Sequence, residues 1–217
     1  MNKELGKKSA AMAALDFIEQ DMIVGVGTGS TVNYFIEALS SIKGKIEGVI
    51  PSSVATANRL KNLSIPLLDL NAAPHVDVYI DGTDEINAAK QMIKGGGGAL
   101  TREKIIATVA DKFICIADES KLVDTLGAFP VAVEVLPLAR SYVARQLVLL
   151  DCHPVYREDF ITDNGNVILD VYNLSLLHAE QMEEAIKKIV GVVESGIFAK
   201  RKANILLLGN DKNARTL

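Results

Sequence analysis

Four short segments of the chain hold the residue types that anion binding and proton transfer need. The first is Gly25-Val26-Gly27-Thr28-Gly29-Ser30-Thr31, between an apolar run and a helical pattern. Glycines let a backbone approach an anion closely, and the N-terminus of the next helix offers unpaired N–H groups at a positive dipole end. Ser30 and Thr31 add hydroxyl donors, so the loop reads as a phosphate cradle. A glycine turn with a Ser or Thr N-cap is the plainer alternative. A dinucleotide site fits poorly, because Ser30 stands where the third glycine of G-x-G-x-x-G belongs. Glu47 precedes Val49-Ile50 and so sits at the wrong end of its strand to hold a ribose. No G-K-[ST] occurs here, which excludes a Walker loop.

The second segment, Asp81-Gly82-Thr83-Asp84-Glu85, directly follows Val78-Tyr79-Ile80. In a parallel sheet ligands lie beyond the carboxyl ends of the strands. Asp81 and Asp84 are therefore expected to project toward the same crevice as the first loop. A solvated acidic loop is the competing reading. Metal binding is disfavoured because His75, His153 and His178 are scattered. A carboxylate-only magnesium site stays open. His75 and His153 read as loop residues and His178 as a helix start.

The third segment is Lys94-Gly95-Gly96-Gly97-Gly98-Ala99-Leu100-Thr101-Arg102-Glu103-Lys104. Four consecutive glycines lose much entropy on folding, which a compact domain tolerates where backbone amides must close around a ligand. Glu103 between Arg102 and Lys104 reads alone as a surface charge; beside the glycine loop it becomes a candidate base. The fourth segment, Asp118-Glu119-Ser120-Lys121, places Lys121 after another apolar run. Lys7 is a further cation with no positional warrant of its own.

These segments need a sheet to hold them. Apolar runs at 22–26, 46–50, 76–80 and 113–117 read as strands, alternating with helical patterns at 5–19, 31–40 and 54–63. Such alternation predicts an open, mainly parallel, Rossmann-like α/β sheet over residues 1–127. Beyond it, a strand at 131–135, a helix at 138–150, a hairpin turn at Asp163-Asn164-Gly165-Asn166 that joins a strand ahead of it to one at 167–171, a helix at 179–190 and a strand at 192–194 give β-α-β-β-α-β. That pattern predicts a second, smaller ferredoxin-like α+β domain over 128–203. Residues 204–217, with Ile205-Leu206-Leu207-Leu208, are expected to rejoin the first sheet.

Composition agrees with a globular protein. Of 217 residues 49% are apolar and 23% charged, and the net charge is −4, so a basic nucleic-acid-binding surface is not expected. Two cysteines without C-x-x-C spacing indicate neither a disulfide framework nor a structural zinc site. Cys115 in Phe113-Ile114-Cys115-Ile116 reads as a buried, inert thiol. The charged N-terminus does not read as a signal peptide, and no run of about 20 apolar residues predicts a membrane span. A cytoplasmic location is expected.

Taken in order, the segments resemble the A-type ribose-5-phosphate isomerases. Phe129-Pro130, Val133-Glu134-Val135 and Thr162-Asp163-Asn164-Gly165-Asn166 also fit, so the likeness spans essentially the whole chain. Thr83 stands where the family often has alanine, and Ala132 where a second proline is common. The resemblance implies interconversion of ribose 5-phosphate and ribulose 5-phosphate in the non-oxidative pentose phosphate pathway. It implies a homodimer with a small-molecule substrate and neither metal nor organic cofactor. It implies that Glu103 moves the proton between C1 and C2. Asp81, Asp84 and Lys94, with Gly82, Thr83 and Gly95 to Gly97, would line the sugar end, and Lys94 with the glycine loop would face the oxyanion. Asp81 would open the ring. Thr28 to Thr31, Lys121 and Lys7 would hold the phosphate. The alternative is a non-catalytic sugar-phosphate sensor, which would need the phosphate loop but not Glu103 or Lys94. Such regulators carry a helix-turn-helix, and the first strand beginning at Met22 leaves no room for one.

Overall fold

The computed structural model describes residues 2–217. In chain order the elements are α1 (Lys3–Ala13), β1 (Ile23–Val26), α2 (Ser30–Leu39), β2 (Gly48–Pro51), α3 (Val54–Asn62), β3 (Val76–Asp81), β4 (Glu85–Ile86), β5 (Met92–Ile93) and α4 (Leu100–Val109). There follow β6 (Ala110–Asp118), β7 (Val131–Val135), α5 (Arg140–Val148), β8 (His153–Tyr156), β9 (Val167–Tyr172), α6 (Ala179–Lys187), β10 (Val192–Ser195), β11 (Ile197–Phe198), β12 (Ile205–Gly209) and β13 (Ala214–Thr216). The chain forms two compact units, Met1–Thr83 with Arg102–Lys121 and Ala203–Leu217, and Asp84–Thr101 with Leu122–Lys202.

The first unit is a six-stranded sheet in the order β13-β12-β6-β3-β1-β2, parallel throughout except for the edge strand β13. β12 pairs in parallel with β6. Strand order reverses between β1 and β3, and such a switch point opens a crevice at the carboxyl ends of the strands. Side chains alternate across the sheet. Val24, Val26, Val78, Ile80, Ile114 and Ile116 face one core, where α2 contributes Val32, Phe35, Ile36 and Leu39 at helical spacing. Gly25, Tyr79, Phe113 and Asp81 occupy the opposite face. There Tyr79 packs against Phe113 with ring centroids 5.0 Å apart. A β-carbon on Gly25 would stand 2.6 Å from Ile106, so α4 lies directly over this face.

The second unit carries an antiparallel sheet in the order β10-β7-β9-β8. Val131, Val133, Val135, Val167, Leu169 and Val171 meet Val143 and Leu147 of α5 and Ile186 of α6 in one core. The alternate residues Ala132 and Ile168 form a smaller cluster with Leu100 and Phe160. This is the β-α-β-β-α-β arrangement read from the sequence, with β8 as the strand ahead of the Asn164-Gly165 turn.

Residues 84–101 differ from the expected division near residue 127. They belong to the second unit because β5 pairs with β11, and β4 with β5, in a three-stranded antiparallel sheet. Two smaller differences concern helix ends and one histidine. The first helix stops at Ala13 and continues to Phe17 as a 3₁₀ turn. His153 opens the edge strand β8 rather than lying in a loop.

Candidate active site

The first unit assembles a loop around a buried carboxylate. Asp81 ends β3 and is fully buried. Its Oδ1 accepts from the Thr28 N–H at 3.1 Å and the Gly82 N–H at 2.7 Å, and the Tyr79 hydroxyl donates to its Oδ2. The Gly27 N–H donates to Ile80 O at 2.9 Å, which seats the loop across the switch point. Burial, then the charges of Asp81 and Glu103, push the Tyr79 phenol well above its usual range, so it stays a donor.

Behind this loop lies a hydroxyl cluster that sequence reasoning missed. Thr28 Oγ1 meets Ser52 Oγ and Ser53 Oγ, each at 2.8 Å, and Thr56 Oγ1 donates to Gly27 O at 2.7 Å. Ser52 and Ser53 follow β2 directly. The rule that polar residues after parallel strands converge on one crevice was the signal for them. Thr28 is therefore occupied in building the loop. Ser30 and Thr31 begin α2, whose N-cap Gly29 provides no side-chain cap, so the first N–H groups of the helix stay open to an anion.

Glu103 lies in the first turn of α4 and is only 4% exposed, so it is not the surface charge its flanking cations suggest. A carboxylate at that position is favoured by the positive end of the helix dipole. Its charge is felt by Tyr79, which places it over the same face as Asp81.

Lys121 closes a 3₁₀ turn after β6. Asp118 Oδ1 shapes that turn by accepting from the Ser120 N–H at 3.0 Å and Ser120 Oγ at 2.5 Å. Lys7 stands on α1, which packs against α2, β6 and this turn. Close approach of α1 to β12 depends on two glycines: a β-carbon on Gly209 would stand 2.0 Å from Gly6 O. Lys7 Nζ bonds Glu4 Oε1 at 2.6 Å, and Tyr34 donates to the other Glu4 oxygen at 2.8 Å. Lys7 and then Tyr34 hold the Glu4 carboxyl below its ordinary value.

The second unit holds the glycine loop. Lys94 is buried, with its N–H on Gly196 O at 2.8 Å and its Nζ 5.6 Å from the centre of the Phe198 ring. Gly95 and Gly98 have φ of +108° and +77°, and the Gly98 N–H closes a turn onto Gly95 O at 2.9 Å. The Gly96 N–H donates to Asp84 Oδ2 at 2.8 Å. Glu85 is bound to the backbone N–H groups of Gly127 and Phe129, at 2.8 and 2.5 Å.

Glu134 anchors the start of α4. Fully buried, it accepts from the Thr101 hydroxyl, from Thr162 Oγ1 at 2.8 Å, from Asn164 Nδ2 at 3.1 Å and from Asn166 Nδ2 at 2.8 Å. The Thr162–Asn166 turn and Glu134 are thus one network, and the remaining donor to Glu134, Thr101, stands two residues before Glu103. The chain passes between the units at Thr83–Asp84 and at Thr101–Arg102, within the two motifs themselves. Asp81, Glu103, Lys121 and Lys7 accordingly belong to the first unit, and Asp84, Lys94 and Gly95 to Gly97 to the second.

Among the described residues, no three His, Cys, Asp or Glu side chains gather as a metal site would need. His75 pairs with Asp77 at 3.2 Å. Cys115 and Cys152 are both buried and unbridged, and burial raises the Cys152 thiol. No helix among the described residues is long and apolar enough to cross a membrane.

The comparisons converge on one family. The family model for ribose 5-phosphate isomerase A (phosphoriboisomerase A) matches residues 48–213. A ribose 5-phosphate isomerase A structure from Neisseria gonorrhoeae is 45% identical, covers 100% of this chain and 97% of its own, and has a TM-score of 0.97. The corresponding structure from Methanocaldococcus jannaschii is 38% identical, with 97% of each chain covered and a TM-score of 0.93. A D-ribose-5-phosphate isomerase in complex with phospho-erythronic acid is 39% identical over 100% of this chain and 99% of its own, with a TM-score of 0.94. These matches, which together span the full length of the chain, show that it belongs to the ribose 5-phosphate isomerase A family.

Proposed function

We propose that this chain interconverts D-ribose 5-phosphate and D-ribulose 5-phosphate, with Glu103 as the group that carries the proton. The observation that bears most weight is a buried carboxylate at a helix N-terminus, on the sheet face that also holds Tyr79 and Asp81. Aldose–ketose isomerisation removes a proton from C2 of the open-chain aldose and returns one to C1. Glu103 accepts the first and delivers the second, a role worth about 10²–10⁴-fold. The enediolate between the two steps carries negative charge on oxygen. Lys94 and the N–H groups of the glycine loop suit its stabilisation, because fixed donors need no reorganisation as charge develops.

The other roles follow from chemistry and position. Ring opening needs a group distinct from Glu103, and Asp81, which accepts from Thr28, Gly82 and Tyr79, suits removal of the anomeric hydroxyl proton. Asp84 lines the sugar end with Gly82 and Thr83. The open N-terminus of α2 with Ser30 and Thr31, together with Lys121 and Lys7, suits the phosphate, whose binding energy orients the reacting end. A sensor would have no use for a buried Glu103. The family reading also carries a homodimer, a cytoplasmic setting, a place in the non-oxidative pentose phosphate pathway, and a reaction without added cofactor.

The purified chain, given ribose 5-phosphate in the presence of a chelator and no nicotinamide, should form ribulose 5-phosphate until the two sugars equilibrate. Binding of the sugar phosphate without ketose formation would overturn the proposal in favour of a sensor. Activity lost on chelation and restored by magnesium would return Asp81, Asp84 and Glu85 to consideration as ligands.

A further inference from the structure

Arg157 lies outside every segment singled out in the sequence, yet it grips the glycine loop from behind. Its Nη1 donates to Gly95 O at 3.2 Å and Gly96 O at 3.3 Å, and its Nη2 to Gly95 O at 3.3 Å. Asp170 fixes the guanidinium from the other side, with Nε on Oδ2 at 2.8 Å and Nη2 on Oδ1 at 2.5 Å. The Phe160 ring lies 5.3 Å from the guanidinium carbon and also fills the space beneath Gly98. In a trans peptide the C=O and the following N–H point in opposite directions. A cation holding Gly95 O and Gly96 O therefore turns the N–H groups of Gly96 and Gly97 away from itself. The first reaches Asp84. The second meets no acceptor among the described residues, and a β-carbon on Gly97 would have nothing within 4 Å.

We infer that Arg157, held by Asp170, is a positioning residue that aims the Gly97 N–H at the developing oxyanion of the enediolate. It does so without touching substrate. A positive charge on the two carbonyls also polarises both amides, which strengthens their N–H groups as donors. Lysine cannot take over this role, because a single ammonium does not span two carbonyls and a bidentate carboxylate. The inference rests on the glycine loop being the oxyanion cradle of the proposed reaction.

The test measures kcat, KM and thermal unfolding for Arg157→Ala, Arg157→Lys and Asp170→Asn. It adds inhibition by inorganic phosphate, which probes the phosphate end, and by phospho-erythronic acid, whose planar, anionic carboxylate resembles the enediolate in shape and charge. Misaiming one donor should lower kcat about 10- to 100-fold, somewhat less than outright removal of an oxyanion donor. KM and phosphate inhibition should change less than about threefold, on the same footing. Phospho-erythronic acid should weaken in step with kcat, and ethylguanidinium should restore part of the turnover of Arg157→Ala. Near-normal kcat in both Arg157 variants would overturn the inference. So would a parallel loss of kcat, phosphate inhibition and thermal stability, which would make Arg157 merely structural. Lys94→Met and Glu103→Gln, run alongside, separate the two claims: normal turnover in those would overturn the reading of the loop, whereas normal turnover confined to the Arg157 variants overturns only the inference.

Discussion

The Asp81 carboxylate occupies the space where a side chain on Gly27 would begin: a β-carbon there would stand 1.8 Å from Asp81 Oδ1. The loop after β1 and the end of β3 are therefore one construction. Asp81 holds the loop through Thr28, and only glycine lets the backbone pass over it.

Gly27→Ala should consequently destabilise the protein by about 1–3 kcal/mol, the usual cost of overpacking a filled site. Gly44→Ala is the control, since a β-carbon there meets nothing within 4 Å. Urea unfolding of both variants checks this. Equal midpoints for the two would mean that Asp81 moves aside freely and does not brace the loop.

Lys121→Ala should raise KM for ribose 5-phosphate by about 10- to 100-fold, corresponding to a charge-assisted hydrogen bond of about 1.5–3 kcal/mol. Unphosphorylated ribose should be affected much less. Steady-state kinetics with the two sugars decides the point, and an equal loss on both would remove the phosphate assignment.

Glu134→Gln should lower stability by about 1–3 kcal/mol. The new amide group presents donors toward hydroxyls and amides that now donate to both oxygens of Glu134. Because Thr101 lies in the first turn of the helix that carries Glu103, kcat should fall as well. Thermal unfolding and turnover of the variant test both effects, and a variant matching the parent in both would show that the network does not anchor α4.

Much of this was legible because the loops are contiguous. Gly25–Thr31, Asp81–Glu85 and Lys94–Lys104 each keep their distinctive residue types in one short run beside a strand or helix. Glu103 was ambiguous in the sequence, since its charged neighbours suggest exposure and only the packing of α4 over Gly25 buries it. Ser52 and Ser53 carried one signal, their place directly after β2, while Thr56, Arg157 and Asp170 were not legible. They are ordinary polar residues, and they reach the loops only through sheet register and chain reversal. β4, β5 and β11 have two residues each, too few to show a period, so the allegiance of residues 84–101 to the second unit could not be read. The function of Glu134 was hidden for a related reason: its partners lie far along the chain, and Thr162, Asn164 and Asn166 are brought toward it by the pairing of β7 with β9.

Proton transfer by Glu103 is the claim on which the account stands, and isomerisation in heavy water tests it most directly. The parent protein should place deuterium on the substrate carbon as ribose 5-phosphate and ribulose 5-phosphate interconvert. Glu103→Gln keeps the size and shape of the side chain but cannot accept the carbon-bound proton. Both turnover and deuterium incorporation should fall by at least about 10²-fold, as general-base removal does. Calorimetric affinity for the sugar phosphate should change little. Near-normal turnover and exchange in Glu103→Gln would contradict the account and move the base to another carboxylate, with Asp81 or Asp84 next to be tested.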